Sequence, residues 1–187
     1  HNTVLNSSNL TGKDQTVCVI DTGVDYTHPD LGNCTEGEFL AGTCNKVIGG
    51  YNYCVNELCS SSDNNPMDNA DNSHGTHVAG IVAANGTIRG VAPEAKIVAL
   101  KVLNSSGSGS TLDVLSAIEW CVDNASTYNI SAISISLGTS ALYSDYCDSQ
   151  NALFALMATE INTAVANNIS VVIASGNDEN LTHIPFP

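Results

Sequence analysis

Positive charge is scarce in this chain: five Lys and Arg stand against 19 Asp and Glu over 187 residues, a net charge of −14. A surface of that sign repels phosphate backbones and anionic lipid, so neither nucleic acid nor a membrane is an expected partner. It suits a salty medium, calcium or cationic peptides. No apolar run approaches the roughly 20 residues needed to cross a bilayer, and no signal peptide is present. The chain opens on His1 rather than Met, which fits a leader or pro-segment already removed. There is also no CxxC pair and no HExxH helix, the two patterns that would point to zinc.

What is present is the composition of a folded protein, 43% hydrophobic and 13% charged, with room for one sizeable domain and a proper core. Seven cysteines are many for a cytosolic chain of this length. Cys34/Cys44 and Cys54/Cys59 lie in Gly-, Asn- and Ser-rich loops and are expected to pair as disulfides that clamp insertions. Cys18 and Cys121 sit among apolar residues and read as buried thiols. Cys147 is left over, which suggests an absent mate. Sequons such as Asn9-Leu10-Thr11 and Asn85-Gly86-Thr87 fit export, although Asn, Ser and Thr are common enough here for many to arise by chance.

Short apolar strands alternate with amphipathic helices along the chain. Thr16–Ile20 (TVCVI) is a β-rich run ending in the turn Asp21-Thr22-Gly23. Val78–Ala84 continues the segment NSHGTHVAG as a small-residue helix. Lys96–Leu103 (KIVALKVL), Ala132–Ser136 (AISIS) and Ser170–Ala174 (SVVIA) read as further strands. Helical spacing marks Thr111–Ala125, with Val114, Leu115, Ile118, Cys121 and Val122 on one face, and a later helix through Leu153, Leu156, Met157 and Ile161. This alternation predicts an α/β fold, a mostly parallel sheet with helices on both faces. Ligands of such sheets gather at the carboxyl ends of the strands. Asp21, the segment after Ser136, and Ser175-Gly176-Asn177 all fall there.

An acid, a histidine and a side-chain amide thus share one edge, in the order Asp21, His74, Asn177. Acyl transfer needs a base, a carboxylate that orients it, and a donor for the developing oxyanion. At these residues the chain resembles the subtilisin family of serine peptidases. "VIDTGVDYTHPDL" (19–31), "HGTHVAG" (74–80), "GVAPEAKIVALKVL" (90–103), "SISLG" (134–138) and "ASGN" (174–177) are similar to that family's successive blocks, in order and over most of the chain. The resemblance implies that Asp21 and His74 are triad members and Asn177 the oxyanion donor. It implies that Gly107-Ser108-Gly109 pairs with the substrate backbone, and that Ser136-Leu137-Gly138 and Ala174-Ser175-Gly176 wall the primary specificity pocket. His77 is expected to pack or hydrogen-bond one helical turn inward.

The family's serine lies downstream of the oxyanion Asn in a G-T-S-x-A-x-P segment, and residues 178–187 hold none. Gly138-Thr139-Ser140-Ala141 is a decoy: it precedes Asn177 and no Ala-x-Pro follows. Residues 1–187 are therefore expected to be a partial subtilisin-like peptidase domain, inactive alone and burying its sheet poorly. The expectation is a secreted or extracellular serine endopeptidase acting on peptide or protein substrates, with a pro-segment as a further partner. The alternatives are an inactive relative that binds peptides and a small metal-binding protein using His74 and His77. Asp30 resembles a calcium ligand of the family, although its companion loop 85–89 is short and carries Arg89. The oxygen-rich turn from Asp63 to Asp68 is the second candidate for a structural calcium.

Overall fold

A computed structural model describes residues 10–54, 62–144, 146–148, 150–177 and 184–185. Its first strand, β1 (Thr16–Asp21), is the TVCVI run with Asp21 added, and four of its six residues are almost wholly inaccessible apolar or acidic side chains. A 3-10 turn (Pro29–Leu31) and a short helix α1 (Glu36–Leu40) follow; Thr35 and Glu38 close a reciprocal capping box at the start of α1. Then come β2 (Val47–Asn52), α2 (His74–Ala83) and β3 (Lys96–Lys101). The second half contributes α3 (Thr111–Asp123), α4 (Ala125–Tyr128), β4 (Ile130–Ile135), β5 (Leu142–Tyr143), α5 (Ala152–Ala166), β6 (Ser170–Ile173) and β7 (Ile184–Pro185).

Five strands form one sheet in the order β2-β3-β1-β4-β6, and every neighbouring pair is parallel. β1 therefore sits at the centre, and the chain's direction puts Asp21, Lys101, Asn52, Ile135 and Ile173 along one edge. Leu142 and Tyr143 pair antiparallel with Pro185 and Ile184 in a separate two-stranded ribbon. The period-2 alternation of the strands splits the core in two. Cys18, Ile20, Val98, Leu100, Ile133 and Ile135 pack under α3 and α5, while Val19, Ile97 and Ala99 pack under α2, with Tyr26 and Phe39 stacked beyond them. The sheet thus carries helices on both faces, as the sequence pattern predicts.

Two differences from the sequence expectations have clear causes. β2 was not foreseen because its sequence, VIGGYN, holds two glycines and no clean apolar run. Those glycines are demanded by packing: a Cβ on Gly50 would stand 2.0 Å from the Ala99 carbonyl oxygen, and one on Gly49 would meet the Tyr128 ring at 2.8 Å. The second is a correction. Cys18 and Cys121 are not thiols but a disulfide, with Cα atoms 6.3 Å apart, joining β1 to α3 across the sheet–helix layer. Both residues are fully buried, which the apolar surroundings foretold; a separation of 103 residues leaves no local trace that they face each other.

The Cys34–Cys44 disulfide is formed as expected. Cys54 is disulfide-bonded, and Cys59 lies outside the described residues. Cys147 carries the free thiol among the described residues.

Candidate active site

Asp21 ends β1 and is 1% exposed. Its Oδ1 accepts the Thr22 amide at 2.7 Å and stands 2.8 Å from Nδ1 of His74, the first residue of α2. A carboxylate oxygen only accepts, so Nδ1 carries the proton of this contact and Nε2 is the ring nitrogen turned away from Asp21. The imidazole is 43% exposed, and so reaches solvent from a buried anchor. Burial pushes the Asp21 carboxyl above its ordinary value, opposed by the hydrogen bonds from His74 and Thr22. Its second oxygen, Oδ2, is buried without a hydrogen-bond partner among the described residues. A carboxylate held this way gains when the neighbouring imidazole takes a second proton, and it offsets the repulsion an imidazolium meets at a helix N-terminus.

The H-G-T segment is explained atom by atom. The Gly75 amide donates to Thr22 Oγ1 at 2.9 Å, and a Cβ on Gly75 would lie 2.1 Å from the Gly23 carbonyl oxygen. Only glycine lets the start of α2 press this closely on the exit of β1. Thr76 Oγ1 donates to Asp68 Oδ2 at 2.7 Å and accepts the Asp25 amide at 2.9 Å, tying the helix to two loops.

Lys101 is a component that the sequence reading passed over. Its side chain is buried at the end of β3, in register with Asp21, and Nζ donates to the Thr22 carbonyl. Burial pulls its ammonium below the usual lysine range, and Asp68 and Asp21 pull it back. The signal available was a lysine ending an otherwise apolar strand.

His77 does not pack inward. It is exposed and lines a cavity of about 600 Å³ on the outer side of α2, together with His28, Ile81, Ile88 and Val91. A helix places residues three apart on neighbouring but not identical bearings, and the inward positions of α2 are taken by Gly75, Ala79 and Ala83. Among the described residues no three His, Cys, Asp or Glu side chains gather as a metal shell.

The remaining edge residues fall into two groups. Gly107, Ser108 and Gly109 line one cleft with Leu137, Gly138 and Ser140, about 380 Å³ in volume. That loop is folded on Asn104, whose Oδ1 accepts from the Ser106 amide and hydroxyl and from the Ser108 amide. Ser136 is half-buried at the end of β4. Ala174, Ser175, Gly176 and Asn177 follow β6 and are all exposed; the Ala174 amide donates to Ile135.

The carboxylates considered for calcium have other partners. Asp30 is buried, and its two oxygens accept the Thr87 amide at 2.7 Å and the Ile88 amide at 3.1 Å. Asp68 accepts the Ala70 amide and both donors of Thr76. Asp63 is exposed and accepts the Asn65 amide. In this structure the oxygens of Asp30 and Asp68 therefore anchor backbone and side-chain donors of neighbouring loops.

The profile of the Subtilase family matches residues 12–187. The chain is 38% identical to Serine protease AprX of Bacillus subtilis (strain 168), over 93% of this chain and 35% of that protein. It is 37% identical to the Minor extracellular protease Vpr of the same strain, over 89% and 18%, and 36% identical to Subtilisin E, over 93% and 37%. Among solved structures, Sphericase superposes with a TM-score of 0.72 at 31% identity, covering all of this chain and 55% of that one. The chain spans about a third of AprX and of Subtilisin E. With the blocks in order, the parallel sheet and the Asp21–His74 pair at its edge, the chain belongs to the subtilase family.

Proposed function

We propose that this chain carries the acid and base of a secreted serine endopeptidase that hydrolyses peptide or protein substrates, with the nucleophilic serine supplied by sequence outside these 187 residues. The observation that carries the reading is the 2.8 Å contact between buried Asp21 and His74 Nδ1. In the complete site, His74 Nε2 takes the proton of the serine hydroxyl as it attacks the carbonyl carbon, and later returns it to the leaving amine. Asp21 keeps the tautomer and stabilises the imidazolium between those steps. The Asn177 amide donates to the oxyanion, water entering afterwards releases the acyl group, and the serine is restored. Gly107–Gly109 offers backbone to an extended substrate, as a strand added to an edge. Ser136–Gly138 and Ala174–Gly176 wall the pocket for its side chain, and a pro-segment is a partner of the same cleft. The extracellular relative Vpr and the seven cysteines support export, and no helix among the described residues is long and apolar enough to cross a membrane.

Substitution in the full-length protein tests the assignment. His74→Ala is expected to lower kcat on the order of 10⁶-fold, the scale seen when a triad base is removed. His77→Ala, on the exposed face, is expected to leave turnover within a few-fold of the parent. Equal losses in two folded variants would overturn the choice of base. A full-length protein that binds peptides but forms no acyl-enzyme with an active-site phosphonate would favour the inactive peptide-binding relative.

A further inference from the structure

Nine of the 21 asparagines open an Asn-x-Ser/Thr triplet: Asn6, Asn9, Asn33, Asn85, Asn104, Asn124, Asn129, Asn168 and Asn180. The chain's content of Ser and Thr would place one two positions after an Asn about four times by chance. The excess alone decides little; its placement decides more. The sheet is parallel, so each strand ends at the edge bearing Asp21 and His74, and each return from a helix reaches the opposite, amino edge, where the strands begin.

Three long helices return to the sheet, and all three returns hold a triplet. Asn85 follows α2 on the way to β3, Asn129 immediately precedes Ile130 of β4, and Asn168 stands two residues before Ser170 of β6. All three are exposed. Asn129 and Asn168 occupy the left-handed region, with φ of 54° and 61°, where a turn asparagine projects from the surface. The Asn129 side chain donates through Nδ2 to the Asp14 carbonyl at 2.5 Å; a substituted amide keeps one N–H, so that bond survives substitution.

The triplet beside the candidate site differs: Asn104-Ser105-Ser106 has an asparagine only 4% exposed, with its oxygen holding the Gly107–Gly109 loop. A bulky substituent there has nowhere to go without unfolding the loop. Asn33, between β1 and α1, is exposed with a φ of 51° and shares the surface character of the three returns. Asn124, at the end of α3, is half-buried and gives its amide to the Trp120 carbonyl.

We propose that Asn85, Asn129 and Asn168 are N-glycosylation sites, so that glycans line the amino edge of the sheet and leave the Gly107–Gly109 loop bare. The donor class is an oligosaccharide on a polyprenyl diphosphate, acted on by a membrane oligosaccharyltransferase. Asn Nδ2 forms the bond to the anomeric carbon of the first sugar, and the bond from that carbon to the diphosphate oxygen breaks. The polyprenyl diphosphate leaves with the electron pair, and the amide nitrogen gives up one proton to a base of the transferase. The inference needs export but not peptidase activity, so it stands or falls separately from the catalytic assignment.

The test is peptide mapping of the full-length protein isolated from its own cells, after enzymatic removal of N-glycans in ¹⁸O-water, which converts each glycosylated Asn to labelled Asp. Where the native glycan resists the enzyme, intact glycopeptides are sequenced instead. Modification at two or more of Asn85, Asn129 and Asn168, with Asn104 unmodified, is the expected result. Modification of Asn104, or of fewer than two of the three, overturns the proposal. As a second reading, Thr87→Ala, Ser131→Ala and Ser170→Ala in a eukaryotic secretory host should each remove one glycan's mass. Unchanged mass in all three would also overturn it.

Discussion

The two ends of the catalytic edge are built differently. At the β1–α2 end, Asp21 is buried, His74 is held by it, and Thr22, Gly75, Thr76, Asp68 and Lys101 bond around them. At the β6 end, Asn177 and the residues before it are exposed, and β6 itself shows alternate exposed positions, with Val172 62% accessible. The first end is organised by contacts within these 187 residues; the second takes its position mainly from the parallel pairing of β4 with β6. The Asp21–His74 pair is therefore preorganised, whereas Asn177, the proposed oxyanion donor, has few side chains fixing it among the described residues. The following substitutions, made in the full-length protein, sharpen that contrast.

Beyond His74 itself, the largest effect is expected at Asp21. Asp21→Asn should lower kcat about 10⁴-fold, because an amide facing Nδ1 selects the wrong imidazole tautomer. Stability should move the other way. Burial raises the folded carboxyl above its ordinary value, so the folded chain holds that proton more tightly than the unfolded one. Its contribution to stability is greatest below the ordinary carboxylate value and is lost as pH rises through the folded one. The Asn variant lacks that loss and should melt at or above the parent's temperature at pH 7, with a flatter stability profile in the acid range. A variant both inactive and markedly less stable would mean that Asp21 is a structural anchor first.

Next in size is the Cys18–Cys121 disulfide, which ties the centre of the sheet to α3. Closing a loop of about 100 residues stabilises by about 4–5 kcal/mol in the chain-entropy model, against about 2–3 kcal/mol for a loop as short as that of Cys34–Cys44. Denaturant unfolding of the Cys18→Ala/Cys121→Ala and Cys34→Ala/Cys44→Ala proteins should show that order. The reverse order would place the folding constraint in the loop between β1 and β2.

Much of this was legible in the sequence, for physical reasons that also mark the limit. Strands β1, β3, β4 and β6 and helices α3 and α5 announce themselves because their burial follows a local period. Asp21, His74 and Asn177 stand out because each abuts such an element inside an ordered series of blocks. What depends on contacts distant in sequence stayed hidden. β2 is defined by Gly50 pressing on Ala99, the core disulfide by two residues 103 apart, and the Lys101–Thr22 bond by strand register. His77 was misjudged because helical spacing fixes a bearing only once the buried face is known, and Ala79 and Ala83 define that face.

At the exposed end, Asn177→Ala should lower turnover on the order of 100- to 1,000-fold while leaving KM nearly unchanged, as expected for a donor that engages only the transition state. The contrast between the two ends adds a second reading. A donor with few fixed neighbours should lose activity on mild warming before the Asp21–His74 end unfolds. Activity and global unfolding followed together should separate in temperature, and coincident curves would show that sequence outside these residues fixes Asn177 as firmly as His74.

The smallest effect expected is at Asp30, and it decides between two accounts of one buried carboxylate. Its oxygens hold the amides of Thr87 and Ile88, and its backbone carbonyl accepts the Asn85 amide. Gly86 approaches the carboxylate closely: a Cβ there would lie 2.0 Å from Asp30 Oδ1. If the carboxylate is an anchor for the 85–89 loop, Asp30→Ala leaves two amides without their acceptor and should cost about 1–3 kcal/mol, the usual penalty for such a loss. Chelation of calcium from the parent should then not reproduce that cost. If the carboxylate is a calcium ligand, chelation and Asp30→Ala should destabilise alike, and chelation should add nothing in the variant. Thermal melts of both proteins, with and without a calcium chelator, distinguish the accounts, and the bonded geometry at Asp30 leads us to expect the first.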